Sequence, residues 1–193
     1  MALSNPYLDF FNALPPWCRA ESSPGVSAAE LGSPDWHALK NAITGHFAWA
    51  VPTEAAIDSI ARHAPGGVLE IGAGAGYWAC LLRQREIDVA AFDAAPPAFT
   101  WSKVEVGDER QAAAAGDRAL LLCWPPWAAP MASAALVAYP GETLIYVGEW
   151  MGGAAEPGFF ARLAAEFDAV DAVDIPRWHA RSDRLWVFRR RRR

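Results

Sequence analysis

From residue 67 onward, short apolar runs alternate with segments of helical period. The apolar runs predict strands at residues 67–71, 88–93, 103–106, 118–123 and 142–150. Helical segments follow four of these runs, at residues 77–85, 109–115, 130–139 and 158–167. Short, continuously apolar strands separated by helices are typical of a parallel sheet covered on both faces. The alternation therefore predicts an α/β fold.

The end of the sequence breaks this alternation. The stretches "AVDAVDIPRW" and "DRLWVFRR" resemble two successive strands with no helix between them. Such a pair places an antiparallel strand in an otherwise parallel sheet. The predicted fold is Rossmann-like, with a mostly parallel seven-stranded sheet, helices on both faces and an antiparallel C-terminal strand.

The first 52 residues have a different character. Residues 1–35 are rich in proline and glycine, yet "YLDFFNALPPW" is too aromatic for a disordered linker. A short helix is expected at residues 35–44, and Thr53 is a suitable N-cap for the helix that follows. We therefore expect a cap or lid segment at 1–52 and a core at 53–193, together forming one domain of ordinary size.

Charge and cysteine usage exclude several classes of protein. The net charge of −5 and pI near 5.3 argue against broad electrostatic binding of nucleic acid. The terminal run Arg189–Arg193 is interpreted as a solvated tail, with an anionic partner as the alternative. The three cysteines show no metal-ligand spacing, so no metal is expected. Without a signal peptide or membrane span, a soluble cytoplasmic protein is expected.

The most informative motif is Glu70-Ile71-Gly72-Ala73-Gly74-Ala75-Gly76, between the first strand and the next helix. Ligands of open parallel sheets bind at the carboxyl ends of strands, and glycine lets them approach bare backbone. The spacing differs from the G-x-G-x-x-G of dinucleotide loops, and no Walker sequence follows. A carboxylate at Glu70 would repel a pyrophosphate but favour a cationic amino group.

This motif resembles the first motif of the class I S-adenosylmethionine-dependent methyltransferases, and the resemblance covers about residues 53–190. It implies S-adenosylmethionine as the cofactor. Asp93, at the end of the second strand, is the carboxylate expected to bind both ribose hydroxyls, and Asp108 matches the adenine-amine contact. Trp49 is expected to close over the methionine end. The remaining expected contacts are Glu70, Gly72, Ala73, Gly74, Gly76, Ala94 and Cys123. Close packing of the glycines, and capping or turn roles for Asp93 and Asp108, are the alternatives.

The stretch "CWPPW", residues 123–127, follows the fourth strand. Amino-methylating relatives carry Asp or Asn, two prolines and an aromatic residue at this position. Trp124 stands here in place of the polar residue, a departure that argues against methylation of a nucleobase amine. The diproline turn is expected to present Trp124 and Trp127 to an acceptor, or else to the N-terminal segment as packing.

Four residues are the predicted catalytic set: Trp124, Trp127, Glu149 and Tyr7. Glu149 is expected to orient an amine or act as a base. Tyr7 and Phe10 are expected to cover the acceptor, and His179 is a further possible base.

The predicted function is methyl transfer by in-line displacement to a small, aromatic or amine-bearing acceptor. The alternatives are methylation of protein or RNA and a non-catalytic S-adenosylmethionine-binding partner subunit. The acceptor, the methylated atom and the choice between monomer and homodimer stay open.

Overall fold

The computed structural model describes residues 3–19 and 34–192. Its α-helices are α1 (Pro6–Ala13), α2 (Pro34–His46), α3 (Glu54–His63), α4 (Tyr77–Gln84), α5 (Met131–Ala138) and α6 (Pro157–Glu166). Its strands are β1 (Val68–Ile71), β2 (Val89–Asp93), β3 (Glu105–Val106), β4 (Ala119–Cys123), β5 (Thr143–Gly148), β6 (Phe167–Asp174) and β7 (Arg184–Arg190). Two short 3₁₀ helices lie at Pro16–Cys18 and Glu109–Ala114. The expected cap segment falls partly on residues 20–33, which lie outside the described residues.

The seven strands form one sheet in the order β3-β2-β1-β4-β5-β7-β6. Strands β1 to β5 are parallel, and β7 runs antiparallel to both of its neighbours, β5 and β6. The chain starts in the middle of the sheet at β1, builds outward to β3, and then returns to β4 on the other side of β1. The predicted fold class is confirmed, and the point where strand order reverses lies between β1 and β4.

Alternate residues of the central strands supply two separate cores. Val68, Leu121 and Val187 point to the face covered by α1, α2, α3 and α4. Leu69 and Leu120 point to the opposite face, which the second 3₁₀ helix, α5 and α6 cover. A strand buried on both faces has no polar side to alternate with, which explains the continuously apolar runs in the sequence.

Helix α1 is joined to the core by a chain of buried hydrogen bonds. Asn5 caps α1 by accepting from the backbone N–H of Leu8 at 3.1 Å, and its amide donates to the Pro52 carbonyl at 2.8 Å. The hydroxyl of Tyr77, at the start of α4, donates to the same Asn5 side chain at 2.8 Å. Trp178 Nε1 donates to the Tyr7 hydroxyl at 3.0 Å. These bonds attach the N-terminal segment to both α4 and the loop before β7.

Several element boundaries differ from the prediction. The segment expected as a weak helix at 109–115 is a 3₁₀ helix, and β5 ends at Gly148. The predicted N-cap is confirmed, since the Ala56 N–H donates to Thr53 Oγ1 at 3.1 Å. The extent of the solvated tail is corrected, because Arg189 and Arg190 belong to β7 and Arg190 forms an ion pair with Glu166 at 2.9 Å.

Within the described part of the chain, none of the helices is both long and apolar enough to cross a membrane.

Candidate active site

Four neighbouring strands bring the expected cofactor residues to one edge of the sheet. Glu70 and the glycine turn lie at the end of β1, and Asp93 ends β2. Asp108 follows β3, and Cys123 ends β4. These strands are parallel neighbours, so their carboxyl ends lie side by side in the order β3-β2-β1-β4. The edge carries the acidic side chains and the turn that the motif singled out.

The three glycines of the turn have positive φ values of 74°, 53° and 68° at Gly72, Gly74 and Gly76. Their surroundings differ. A Cβ on Gly76 would lie 2.6 Å from Val104 Cγ2, so that glycine allows close packing. A Cβ on Gly74 would meet no atom within 4 Å. Gly74 therefore presents bare backbone to open space, the arrangement a bound molecule requires.

Asp93 is tied to the glycine turn through the backbone. Its Oδ2 accepts from the N–H of Gly74 at 2.8 Å, and its Oδ1 accepts from the N–H of Ala95 at 2.9 Å. Each carboxylate oxygen has a second lone pair for a ligand hydroxyl. The side chain thus fixes the turn and still presents acceptors at the end of β2, while Ala94 beside it is exposed.

Glu70 is almost completely buried, with 1% of its surface exposed. Burial raises the pKa of Glu70 to about 8, against the lowering effect of Arg83. Its Oε2 has no hydrogen-bond partner among the described residues. A buried carboxylate oxygen without a donor is energetically costly, so this atom invites a donor from a bound molecule.

Asp108 has a different set of partners. It caps the second 3₁₀ helix by accepting from the backbone N–H of Arg110 at 3.0 Å, and the Arg110 guanidinium binds both of its carboxylate oxygens. Hydrogen bonds from this guanidinium lower the pKa of Asp108 to about 2. The turn-and-cap role is visible directly, and the adenine contact stays a prediction.

Trp124, directly after β4, belongs to a second part of the site, on the side expected to face the methyl acceptor. Its φ of 49° is left-handed, which is uncommon for a large side chain and marks a position held by its surroundings. Its backbone N–H donates to the Val147 carbonyl at 2.8 Å, which joins the end of β4 to β5. Its indole stacks on Trp49, with ring centroids 5.5 Å apart and planes 26° apart. Because Trp49 is 42% exposed, one side of this aromatic pair is accessible.

Glu149 is buried, and both of its carboxylate oxygens accept hydrogen bonds, while its expected role as a base or amine ligand stays a prediction. Its Oε1 accepts from the backbone N–H of Ser182 at 3.1 Å. Its Oε2 accepts from the N–H of Gly153 at 3.0 Å and from Arg181 at 3.2 Å. A carboxylate already holding two loops and a guanidinium is an anchor for the loops at this end of β5.

Sequence reasoning missed Asp183 and Lys40. Asp183 is completely buried, and its Oδ1 accepts from Trp124 Nε1 at 2.8 Å. Its Oδ2 has no hydrogen-bond partner among the described residues. Burial raises the pKa of Asp183 to about 7 and lowers that of the nearby Lys40 to about 8. Asp183 directly precedes β7, whose antiparallel direction brings its start to the ligand edge. Its position directly before the predicted antiparallel strand is the sequence signal that could have identified Asp183 as a site residue.

The other expected residues differ in their exposure. Trp127 is 58% exposed, and Phe10 is exposed on α1. Tyr7 has no exposed surface and stacks on Phe47 at a centroid distance of 4.6 Å. Tyr7 therefore packs the N-terminal segment against the core, and its expected covering role stays a prediction. His179 is partly buried in the loop before β7.

The ranges 3–19 and 34–192 contain no group of three His, Cys, Asp or Glu side chains placed to hold a metal ion.

No protein-family model and no curated protein matches this chain. Solved structures that share its fold include two methyltransferases. The 1,6-didemethyltoxoflavin-N1-methyltransferase of Burkholderia thailandensis, solved with its substrate and S-adenosylhomocysteine, aligns with a TM-score of 0.53 and 16% identity. That alignment covers 89% of this chain and 94% of the other. The magnesium protoporphyrin IX methyltransferase of Synechocystis PCC 6803, solved with bound S-adenosylmethionine, aligns with a TM-score of 0.51 and 14% identity. This second alignment covers 98% of this chain and 99% of the other. The fold predicted from the motif resemblance is confirmed.

Proposed function

We propose that this chain, which has the fold of the class I S-adenosylmethionine-dependent methyltransferases, transfers a methyl group from S-adenosylmethionine to a small, planar acceptor. The observation that carries the proposal is the bare Gly74 turn next to the buried Glu70 side chain, whose Oε2 lacks a hydrogen-bond partner among the described residues, at the switch point of the sheet. A bound molecule would account for both features, and both lie where such folds bind ligands.

The residues of the turn fit a nucleoside that carries an amino group. Gly74 leaves room for the ligand against its backbone, and Asp93 offers the free lone pairs of two carboxylate oxygens to a cis-diol. An ammonium group near Glu70 would supply the donor that its Oε2 lacks. When bound, S-adenosylmethionine supplies an electrophilic methyl group on a sulfonium.

The acceptor side favours a small, flat molecule. The stacked Trp49 and Trp124 rings form an aromatic surface at the end of β4. Aromatic contacts of this kind contribute about 0.5–1.5 kcal/mol each beyond their buried area. Holding the acceptor in line with the methyl group in a site without water removes much of the entropic barrier, up to roughly 7–11 kcal/mol in favourable cases. The N-terminal segment would contribute to that exclusion as a lid.

The test is incubation of the protein and methyl-labelled S-adenosylmethionine with a cell extract divided into small-molecule and macromolecular fractions. We expect label in the small-molecule fraction, with a product identified by mass spectrometry. Label confined to protein or RNA would replace the small acceptor with a macromolecule. If no fraction is labelled and the protein still binds S-adenosylhomocysteine, the result would contradict the transferase function and support a cofactor-binding subunit without catalytic activity.

A further inference from the structure

The loop before β7 holds a carboxyl group that the cofactor residues do not use. Asp183 has no exposed surface, yet only one of its two oxygens is hydrogen-bonded. Oδ1 accepts from the Trp124 indole at 2.8 Å, and Oδ2 has no partner in the described ranges. The indole bond fixes the orientation of the carboxyl group relative to the aromatic surface. The result is a buried, oriented oxygen with free lone pairs beside the Trp124 ring.

Asp183 also lies next to the cofactor half of the site. Cys123, at the end of β4, interacts electrostatically with both Glu70 and Asp183. Burial raises the pKa of this thiol well above its ordinary value, so it is neutral and adds no charge near either carboxyl group. An acceptor between the glycine turn and Trp124 would have Asp183 within its immediate surroundings.

We infer that Asp183 is the catalytic proton acceptor of this site and that the methyl acceptor is a neutral, planar molecule whose nucleophile is an O–H or a ring N–H. The inference rests on the proposed methyltransferase function and names its base and acceptor class. The acceptor's lone pair forms the new bond to the methyl carbon as the methyl–sulfur bond breaks with its electron pair going to sulfur. The proton leaves the acceptor oxygen or nitrogen for Asp183 Oδ2.

The surrounding charges favour a neutral acceptor over a cationic one. Lys40 of α2 and Arg181, which shares the loop before β7 with Asp183, both interact electrostatically with the Asp183 carboxyl group. The Arg181 guanidinium also lies over the Trp124 ring, 5.3 Å from its centroid. A cationic amine would meet two positive charges here. Glu149, the other nearby carboxylate, already forms an ion pair with Arg181 at 3.2 Å.

The titration of Asp183 depends on groups from several elements. Those that act on it or respond to it are Tyr7 of α1, Lys40 of α2, Cys123 of β4, Tyr146 of β5, Glu149 after β5 and Arg181 in its own loop. Burial raises the pKa of both tyrosines, so they stay neutral, and the charged neighbours are two cations and one anion. Burial dominates and raises the pKa of Asp183 to about 7, the range in which a general base works well near neutral pH.

The experiment compares wild type with Asp183→Asn, which keeps the oxygen that binds Trp124 but cannot accept a proton. Both are assayed for transfer of labelled methyl to the small-molecule fraction of a cell extract, from pH 5.5 to 9. We expect the wild-type rate to rise with pH and level off above about 7. Asp183→Asn should lose about 10²- to 10⁴-fold in rate and show no break near that pH. Its affinity for S-adenosylhomocysteine should stay within about threefold of wild type, because the cofactor half is unchanged; a tenfold loss would correspond to about 1.4 kcal/mol of binding free energy.

Two further variants separate catalysis from folding. Asp168 is an exposed carboxylate near the start of β6, at the edge of the sheet away from Asp183. The variant Asp168→Asn should match wild type in rate and pH profile. Asp183→Glu should transfer faster than Asp183→Asn and keep the pH break. The inference is overturned if Asp183→Asn transfers within about threefold of wild type, or if the product carries its methyl on an atom that bore no proton. An inert wild type would instead overturn the proposed function, and the inference with it.

Discussion

The two halves of the site are built in opposite ways. The cofactor half is a continuous turn, with Asp93 only 19 residues from its partner Gly74. The acceptor half joins residues far apart in sequence, since Trp124 and Asp183 are 59 positions apart. The first combines the backbone of one turn with the carboxyl groups of Glu70 and Asp93, and the second joins side chains from separate loops. A turn of fixed shape suits a constant ligand, whereas side chains from separate loops can change with the acceptor without disturbing the turn.

The largest effect that would test this contrast is expected from Gly74→Val. The added side chain would occupy the open space above the turn, in a left-handed conformation that costs about 1–3 kcal/mol. S-adenosylhomocysteine affinity should fall by more than about 100-fold, a loss of about 2.7 kcal/mol or more, as measured by calorimetry.

Gly116→Val is the matched control for this substitution. Gly116 has a φ of 60° and also has no atom within 4 Å of an added Cβ, but it precedes β4 at the opposite edge of the sheet. The control should lose similar stability and keep its affinity. Equal losses of affinity in both variants would mean that Gly74 matters only for folding.

Asp93→Ala is expected to have the next largest effect. It removes the acceptors at the end of β2 and frees the N–H of Gly74, a change that costs about 1–3 kcal/mol, or roughly 5- to 150-fold in affinity. Asp88→Ala, at the exposed start of the same strand, is the control and should bind S-adenosylhomocysteine normally. Unchanged affinity in Asp93→Ala would remove the carboxylate from the cofactor half.

The ability to predict each half from the sequence follows from this construction. The β1 turn was predictable because glycine spacing and a preceding carboxylate are local signals. Asp183 was not, because burial and the bond to Trp124 arise only when β7 inserts between β5 and β6. The sequence predicted a fifth strand that includes Glu149, whereas β5 ends at Gly148, and the hydrogen-bond donors of Glu149 come from loops that the sequence did not place. The sheet itself was predictable, since strands buried on both faces are continuously apolar.

Unfolding free energy should respond to pH differently in the two halves. The pKa of Glu70 is raised from an ordinary 4.5 to about 8, and that of Asp183 from 3.8 to about 7. The folded state therefore retains a proton that the unfolded state has released, so stability falls as pH rises through these windows, by at most about 1.4 kcal/mol per pH unit for each group.

Urea unfolding of wild type, Glu70→Gln and Asp183→Asn across pH 4 to 9 would separate the two contributions. Between pH 7 and 8 we expect most of the downward slope to be lost in Glu70→Gln and most of it to persist in Asp183→Asn. A wild-type stability that does not change from pH 4.5 to 8 would contradict the burial of both carboxyl groups.

The smallest effect is expected from deleting residues 192–193. Arg192 is exposed and β7 ends at Arg190, so the sheet should be unaffected. The rate of transfer of labelled methyl to the small-molecule fraction should stay within about twofold of the full chain, a change of less than about 1 kcal/mol in activation free energy. Lost transfer with unchanged S-adenosylhomocysteine affinity would indicate an anionic macromolecular acceptor instead.

The most direct test of the whole account is calorimetric titration of the wild-type chain with S-adenosylhomocysteine, paired with thermal unfolding of the same sample. We predict one site per chain and a rise in Tm that grows with ligand concentration, as expected when a ligand binds only the folded state. A folded chain that gives neither heat nor a shift in Tm would contradict the placement of a nucleoside at the Gly74 turn, and with it the proposed function.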